Sequence, residues 1–126
     1  IIGSILIKIY HYNQSISPYF LALLLWYPAF ENLFSIIRKK VSKINPTEPD
    51  TDHLHQLIFK YINKKKLLFK KYSNQKTSFL IVLYNAIIFF ISINYITKTT
   101  QIIILLILNV IVYLALYFFI KKQLVK

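Results

Sequence analysis

Long uncharged apolar runs alternate along this chain with blocks of lysine. Residues 78–95 and 102–120 contain no charged side chain at all. Runs of about 18–20 such residues, at 1.5 Å of helical rise each, reach across a hydrocarbon core about 30 Å thick. Two further apolar stretches precede them, so the pattern predicts segments at 1–10, 16–37, 77–96 and 102–120. Lys98, Thr99, Thr100 and Gln101 join the last two, and so short a connection predicts an antiparallel pair. The expected fold is all-α. It is a polytopic membrane helix bundle with three to four transmembrane helices in one membrane domain spanning 1–126, and a cytoplasmic amphipathic helix besides.

Composition supports this assignment. The chain is 56% hydrophobic yet carries a formal charge of +12. A soluble chain of this length buries only about 65–70% of its surface, too little for so much apolar area. With no cysteine, neither a disulfide nor a thiolate metal site is possible. Methionine is also absent, even from position 1. The first stretch reads as the tail of an apolar segment, so the chain is expected to be the C-terminal part of a longer protein.

The basic residues set the expected orientation. Eleven lie between Arg38 and Lys76 and three more at Lys121, Lys122 and Lys126, against Lys98 on the opposite side and Lys8 near the end of the first stretch. Lys and Arg are retained on the cytoplasmic side, which places loop 38–76 and the C-terminus there. The blocks Lys64-Lys65-Lys66 and Lys70-Lys71 are expected to sit on anionic lipid headgroups, worth about 1 kcal/mol per basic residue near the surface. Such loops beside spans need no nucleic acid to explain them.

Within that loop, residues 45–52 are turn-rich and hold three of the four carboxylates. Asp50 is a suitable N-cap, and Leu54, Leu57, Ile58, Tyr61 and Ile62 then recur at helical spacing as one apolar stripe. The helix is expected to begin at Asp50 and to lie on the bilayer or on the inner mouth of the bundle. Residues two apart on a helix diverge by about 200°, so His53 and His55 should flank the stripe on opposite borders and not share a metal. They remain candidates for a phosphate ligand at a helix N-terminus, or are simply solvated. Glu31, three residues after the helix-kinking Pro28, is an ionisable group inside an apolar span. It should line a polar site or pair with Arg38 or a nearby lysine.

The string YPAFENLFSIIRKKVSKINPTEPDTDHLHQLIFK, residues 27–60, resembles a stretch near the C-terminus of the polyprenyl-phosphate N-acetylhexosamine-1-phosphate transferases. Enzymes of the UDP-GlcNAc:undecaprenyl-phosphate GlcNAc-1-phosphate transferase type belong to that family, and phospho-N-acetylmuramoyl-pentapeptide transferase is a distant relative. Pro28 and Glu31 take the places of a proline and an acidic residue, usually Asp. Arg38 and Lys39 take a basic pair. Pro49, Asp50, His53, Leu54 and His55 follow a Pro-Asp-x-x-His-(Ile or Leu)-His-His motif, with Gln56 where the last histidine is usual. Gln56 still hydrogen-bonds a sugar or phosphate oxygen but takes up no proton.

The resemblance implies transfer of N-acetylhexosamine-1-phosphate from a UDP-sugar to polyprenyl phosphate, with release of UMP, for cell-wall or surface-polysaccharide synthesis. It implies Mg²⁺ to neutralise the growing charge, held by aspartates upstream of these residues. The chain would then carry no catalytic residue or metal ligand and be inactive alone. His53, His55, Asp50 and Gln56 would bind substrate, with Glu31 and Arg38 supporting them. The implied partners are UDP-N-acetylhexosamine, polyprenyl phosphate and anionic lipid headgroups, with a homodimer left open. The implied location is the bacterial cytoplasmic membrane. Three readings stand against this one: a non-enzymatic membrane module with a polybasic loop, an inactive gene remnant, and a transporter piece with Glu31 and His11 on a proton path. The last would want more polar groups in the spans than Glu31, Asn85, Asn94 and Asn109, since Asn more often glues helices together.

Overall fold

The computed structural model describes residues 1–43, 45, 48, 50, 52–64 and 73–125. Six helices make up the described chain: α1 (Ile2–Tyr12), α2 (Pro18–Leu24), α3 (Trp26–Val41), α4 (Leu54–Lys64), α5 (Ser73–Ile93) and α6 (Thr99–Val125). No strand occurs among the described residues. Pro49, Thr51, Lys65, Lys66, Lys70, Lys71 and Lys126, which the sequence singled out, lie outside them.

Helices α5 and α6 are long and apolar enough to cross a membrane. Only 11% and 22% of their most apolar windows are buried inside the protein. Phe79, Phe90, Ile107 and Phe118 are among the large side chains left exposed, and such surface needs lipid around it. This is a membrane protein. The turn between the two helices falls at residues 94–98, where Tyr95 and Lys98 amides donate back to Ser92 and Tyr95 carbonyls. Thr99, Thr100 and Gln101, expected in the connection, instead form the first turn of α6.

The stretch 16–37 is not one straight helix. It divides at Leu25 into α2 and α3, which meet at 72° and count as a third span if taken together. Pro28 explains the position of the break. It has no N–H to offer the carbonyl of Leu24, and its ring crowds that carbonyl, so the helix gives way one turn upstream. In α3 the proline then occupies the first turn, where amides have no helical acceptor in any case. Pro18 starts α2 in the same way after Ser17. The Ser17 amide donates to the Ile96 carbonyl at 2.8 Å, and its hydroxyl accepts from Thr99 at 3.1 Å. These bonds tie the start of α2 to the α5–α6 turn.

The core lies where α2, α4, α5 and α6 meet. Phe20, Leu23 and Trp26 pack there with Leu54, Leu57, Ile102, Tyr113, Tyr117 and Ile120. Of the stripe expected on α4, Leu54 and Leu57 are buried and Ile58, Tyr61 and Ile62 half-buried. The helix packs on α5 and α6, so it belongs to the mouth of the bundle. Helix α1 leaves Ile5 and Ile7 exposed, and its 11 residues are fewer than the roughly 20 of a span.

Asparagines cross-link the spans. Trp26 Nε1 donates to Asn85 Oδ1 at 3.1 Å, and the Tyr84 hydroxyl donates to Oδ1 of the buried Asn109. Tyr84→Phe leaves that carbonyl without its phenol donor. Interhelical hydrogen bonds of this kind contribute roughly 0.6–1.7 kcal/mol. The substitution is expected to lower unfolding stability by about 1 kcal/mol in detergent–SDS mixtures, read from the fluorescence of the single tryptophan. An unchanged midpoint would show that the bond contributes nothing.

Candidate functional site

One face of α3 carries the polar groups of the site. Glu31, Ser35 and Arg38 recur at spacings of four and three, which stacks them along the helix, and all three point towards the segment that leads into α4. Each holds a different piece of that segment.

Glu31 holds the start of α4. Its side chain is only 7% exposed. Oε1 accepts from the Leu54 amide at 2.6 Å and from the Tyr113 hydroxyl at 2.9 Å, and His53 Nδ1 lies 3.4 Å away. The expected basic partners, Arg38 or a lysine, are therefore replaced by a helix N-terminus. The reason is electrostatic: the free amides of a first turn carry partial positive charge and need acceptors. Oε2 of Glu31 and the hydroxyl of Tyr27 are buried and meet no hydrogen-bond partner among the described residues.

Asp50 does not cap α4, because the helix starts four residues later, at Leu54. Its Oδ1 accepts from the Asp52 amide at 2.9 Å, a short turn of the type Asp favours. Its Oδ2 accepts from Ser35 and from Arg38. The capping task falls to His53, whose carbonyl accepts from the Leu57 amide at 3.0 Å, and to Gln56, whose Oε1 accepts from the His53 amide at 3.3 Å. That second bond is half of a capping box.

Arg38 donates to the Asp52 carbonyl and to the Tyr117 hydroxyl, both at 2.6 Å, besides Asp50. Tyr117 is fully buried. Lys121 donates to Asp52 Oδ2 at 3.0 Å, and Lys60 lies 3.6 Å from Oδ1. Lys39 donates to the Glu48 carbonyl. The acidic interlude of the loop is thus drawn inward onto α3 and α6.

The histidine geometry differs from expectation. His53 precedes α4, so the 200° helical divergence does not apply to it. Its ring stacks on that of His55, with centroids 5.5 Å apart and planes at 10°. His55 and Gln56 line a cleft of about 610 Å³ together with Tyr27, Phe59, Asn74 and Thr77. Ser78, Ile81 and Val82 complete it. An adjoining cavity of about 320 Å³ shares Tyr27 and Ile81 and is lined by Trp26, Leu54, Leu80 and Leu116, among others. Among the described residues, no three His, Asp or Glu side chains are grouped as a metal site. The residues present do not fit Mg²⁺, since Asp50 and Asp52 are bound to Arg38 and Lys121.

Neither protein-family models, nor curated proteins, nor solved structures match this chain.

Sequence reasoning overlooked Tyr113 and Tyr117. Their spacing of four in an otherwise apolar helix puts two phenols on one face, and that was the available signal. Ser35, four after Glu31, was legible in the same way. Asn74 and Thr77 carried no such signal.

Two outcomes follow from this geometry. Glu31→Ala removes the acceptor for the Leu54 amide, and hydrogen bonds to charged groups are worth about 1.5–3 kcal/mol. The Leu54 amide is then expected to exchange with solvent at least ~10-fold faster, as hydrogen-exchange NMR in micelles would show. The second outcome concerns pH. Burial opposes charge on Asp50, but the Ser35 hydroxyl, the Asp52 amide and the Arg38 guanidinium outweigh it and hold the carboxyl below its ordinary value. Burial likewise opposes charge on Asp52, where Lys121, Lys60 and Arg38 prevail and lower it. Carboxyls depressed in the folded state stabilise it fully above the unfolded value, about 4. That contribution is lost as pH falls through the folded values. The thermal midpoint should drop on acidification below about pH 4, and the Asp50→Asn, Asp52→Asn double variant should be less stable at pH 7 with a flatter acid limb.

Proposed function

We propose that this chain is the C-terminal portion of a membrane glycosyl-1-phosphate transferase. It would act with upstream segments to move N-acetylhexosamine-1-phosphate from a UDP-sugar to polyprenyl phosphate, releasing UMP. The observation that carries the proposal is the placement of His55 and Gln56 in the first turn of α4, on the rim of the 610 Å³ cleft. Two features suit a phosphate-bearing ligand there: hydrogen-bonding side chains of the resembled motif on the cleft, and a strongly basic end of the bundle around it. Arg38, Lys60, Lys64, Lys121 and Lys122 all sit at this end of the bundle, at or near the C-termini of α3, α4 and α6.

In this reading the cleft opens to the cytoplasm of a bacterial cell, with the basic end inside as the lysine bias requires. Glu31 and Arg38 hold α4 and its leading turn in place, and Asp50 shapes the turn. Gln56 serves as a hydrogen-bonding residue and not as an acid or base. Mg²⁺, supplied by aspartates elsewhere in the parent protein, would neutralise the diphosphate. Anionic lipid headgroups would contact the exposed lysines.

The test uses membranes from cells that make the full-length protein carrying these residues. Given UDP-N-acetylglucosamine and undecaprenyl phosphate, they are expected to release UMP. His55→Ala should cut that release about 10- to 100-fold, the size of one hydrogen bond to a charged group. Replacing Lys40 and Lys43 by Gln should leave it within about threefold. No UMP release, or release indifferent to His55, would reject the proposal. A protein whose preference for anionic over zwitterionic lipid is lost on the lysine replacements, with no such activity, would be a basic-loop module instead.

A further inference from the structure

The break between α2 and α3 leaves one carbonyl of the bent span without its helical donor. Pro28 has no N–H to give the Leu24 carbonyl, while the Leu25 carbonyl takes the Ala29 amide at 3.2 Å. Hydrocarbon offers no replacement, so a broken span needs polar groups or water beside the break. Helix α5 brings a polar face to that point. Asn85, Ile88 and Ser92 recur along it at spacings of three and four, which puts them on one side. They meet Leu23, Leu24 and Trp26 around a small cavity of about 50 Å³. Its wall is as polar as it is apolar, unlike the two larger cavities, which apolar surface dominates.

The hydrogen-bonding capacities around this cavity are complementary. The Asn85 side chain accepts from Trp26 Nε1 through Oδ1, and its Nδ2 donates to the Ile81 carbonyl at 2.8 Å. A side-chain amide carries two protons, so one remains. The fully buried Ser92 gives its hydroxyl proton to the Phe89 carbonyl at 2.8 Å and keeps its oxygen lone pairs. The Leu24 carbonyl is a second acceptor. A water molecule matches this set, because it accepts from one donor and donates to two acceptors. Holding a water takes roughly 10–15 Å³ of such space and two to four polar partners, and both are present.

Other occupants fit worse. A sodium ion must replace its hydration shell with several oxygens, yet Oδ1 of Asn85 already accepts from Trp26 and no lining residue is a carboxylate. An apolar lipid chain would leave the polar groups unpaired.

We propose that this cavity is a water site inside the membrane, where a bound water bridges Asn85, Ser92 and the Leu24 carbonyl. The water stands in for the N–H that Pro28 lacks and joins α5 to the break. Every wall of the site belongs to this chain, so the site is independent of the transferase reading.

The experiment uses the intact protein in lipid bilayers, with asparagine side chains ¹⁵N-labelled and magnetisation transferred from water in solid-state NMR. Asn85 and Asn109 both donate to a carbonyl four residues earlier in a span. Asn109 is bound at Oδ1 by Tyr84 and lies off the cavity, so it serves as the dry reference. Transfer to the Asn85 side-chain amide should be at least ~5-fold faster than to Asn109, as direct contact with a water requires. Equally slow transfer at both would show a dry cavity and overturn the proposal.

Ser92→Val fills the space and removes an acceptor, and it should abolish the transfer to Asn85. Ser92→Ala keeps the space and should reduce it. The Trp26 Nε1 resonance, held by Asn85 in both variants, reports that the fold survives. Undiminished transfer in either folded variant would place the water elsewhere and overturn the site. Exchanging sodium for N-methylglucamine in the buffer should move none of these signals. A sodium-dependent shift of the Asn85 amide would put a cation in the cavity and overturn the assignment to water.

Discussion

Everything at the basic end of this bundle is arranged around one buried carboxylate. Placing a charged group inside an apolar span costs about 2.5–3.5 kcal/mol on insertion scales. Glu31 meets that cost with donors from two other helices, the Leu54 amide of α4 and the Tyr113 hydroxyl of α6. A lysine would have neutralised it more simply. A helix N-terminus does something a lysine does not, because it fixes the position and direction of a whole element. Once Leu54 is held, Leu57 must face the core and His55 the opposite border. The orientation of the motif follows from a residue 23 positions earlier.

The second tier secures the chain that leads into α4. Arg38 is bound by Asp50, the Asp52 carbonyl and Tyr117, and Lys121 reaches the same aspartate from α6. A planar guanidinium suits this role, since it offers several donors in fixed directions. These contacts also turn the loop aspartates inward. The lysines left exposed, Lys40, Lys43 and Lys122 among them, outnumber the exposed Glu48 at the outer rim. A rim of net positive charge attracts anions and headgroups from a distance, while Asp50 is tied up behind it.

Long-range partners account for most of what the sequence concealed. The spans were legible because an uncharged run of about 20 residues has few alternatives to crossing a membrane. The break in the third was legible from Pro28, although its location at Leu25 requires the missing Leu24 bond to be traced back one turn. The start of α4 was misplaced for a specific reason. Asp50 has the chemistry of a cap, but Arg38 and Ser35 take its Oδ2 and the Asp52 amide takes its Oδ1, which closes a turn short of the helix. With Asp50 engaged, the helix begins where Glu31 supplies an acceptor. That shift of register moves His53 out of the helix, so the angular argument that separated the two imidazoles no longer holds. Spacing along one helix reveals which side chains share a face, and it does not reveal which helix end will be brought to them.

The break at Leu25 also has a consequence for the site. A straight helix through 16–37 would carry Tyr27 along the axis of α2. The 72° bend instead brings it to the partition between the cleft and the adjoining cavity, where it lines both with Ile81. On one side of that partition are His55, Gln56, Asn74 and Thr77. On the other are Trp26, Leu54, Leu80 and Leu116. Both compartments are walled mainly by apolar surface, and the polar side chains of His55, Gln56, Asn74 and Thr77 border only the cleft. The cleft borders the first turn of α4, whose positive end Glu31 already occupies, and the adjoining cavity is walled by Leu80 and Leu116, which stay exposed on the spans. The bend, the carboxylate and the N-terminus of α4 act together: the bend delivers Tyr27 to the wall of the cleft, and Glu31 fixes the helix that brings His55 and Gln56 to it.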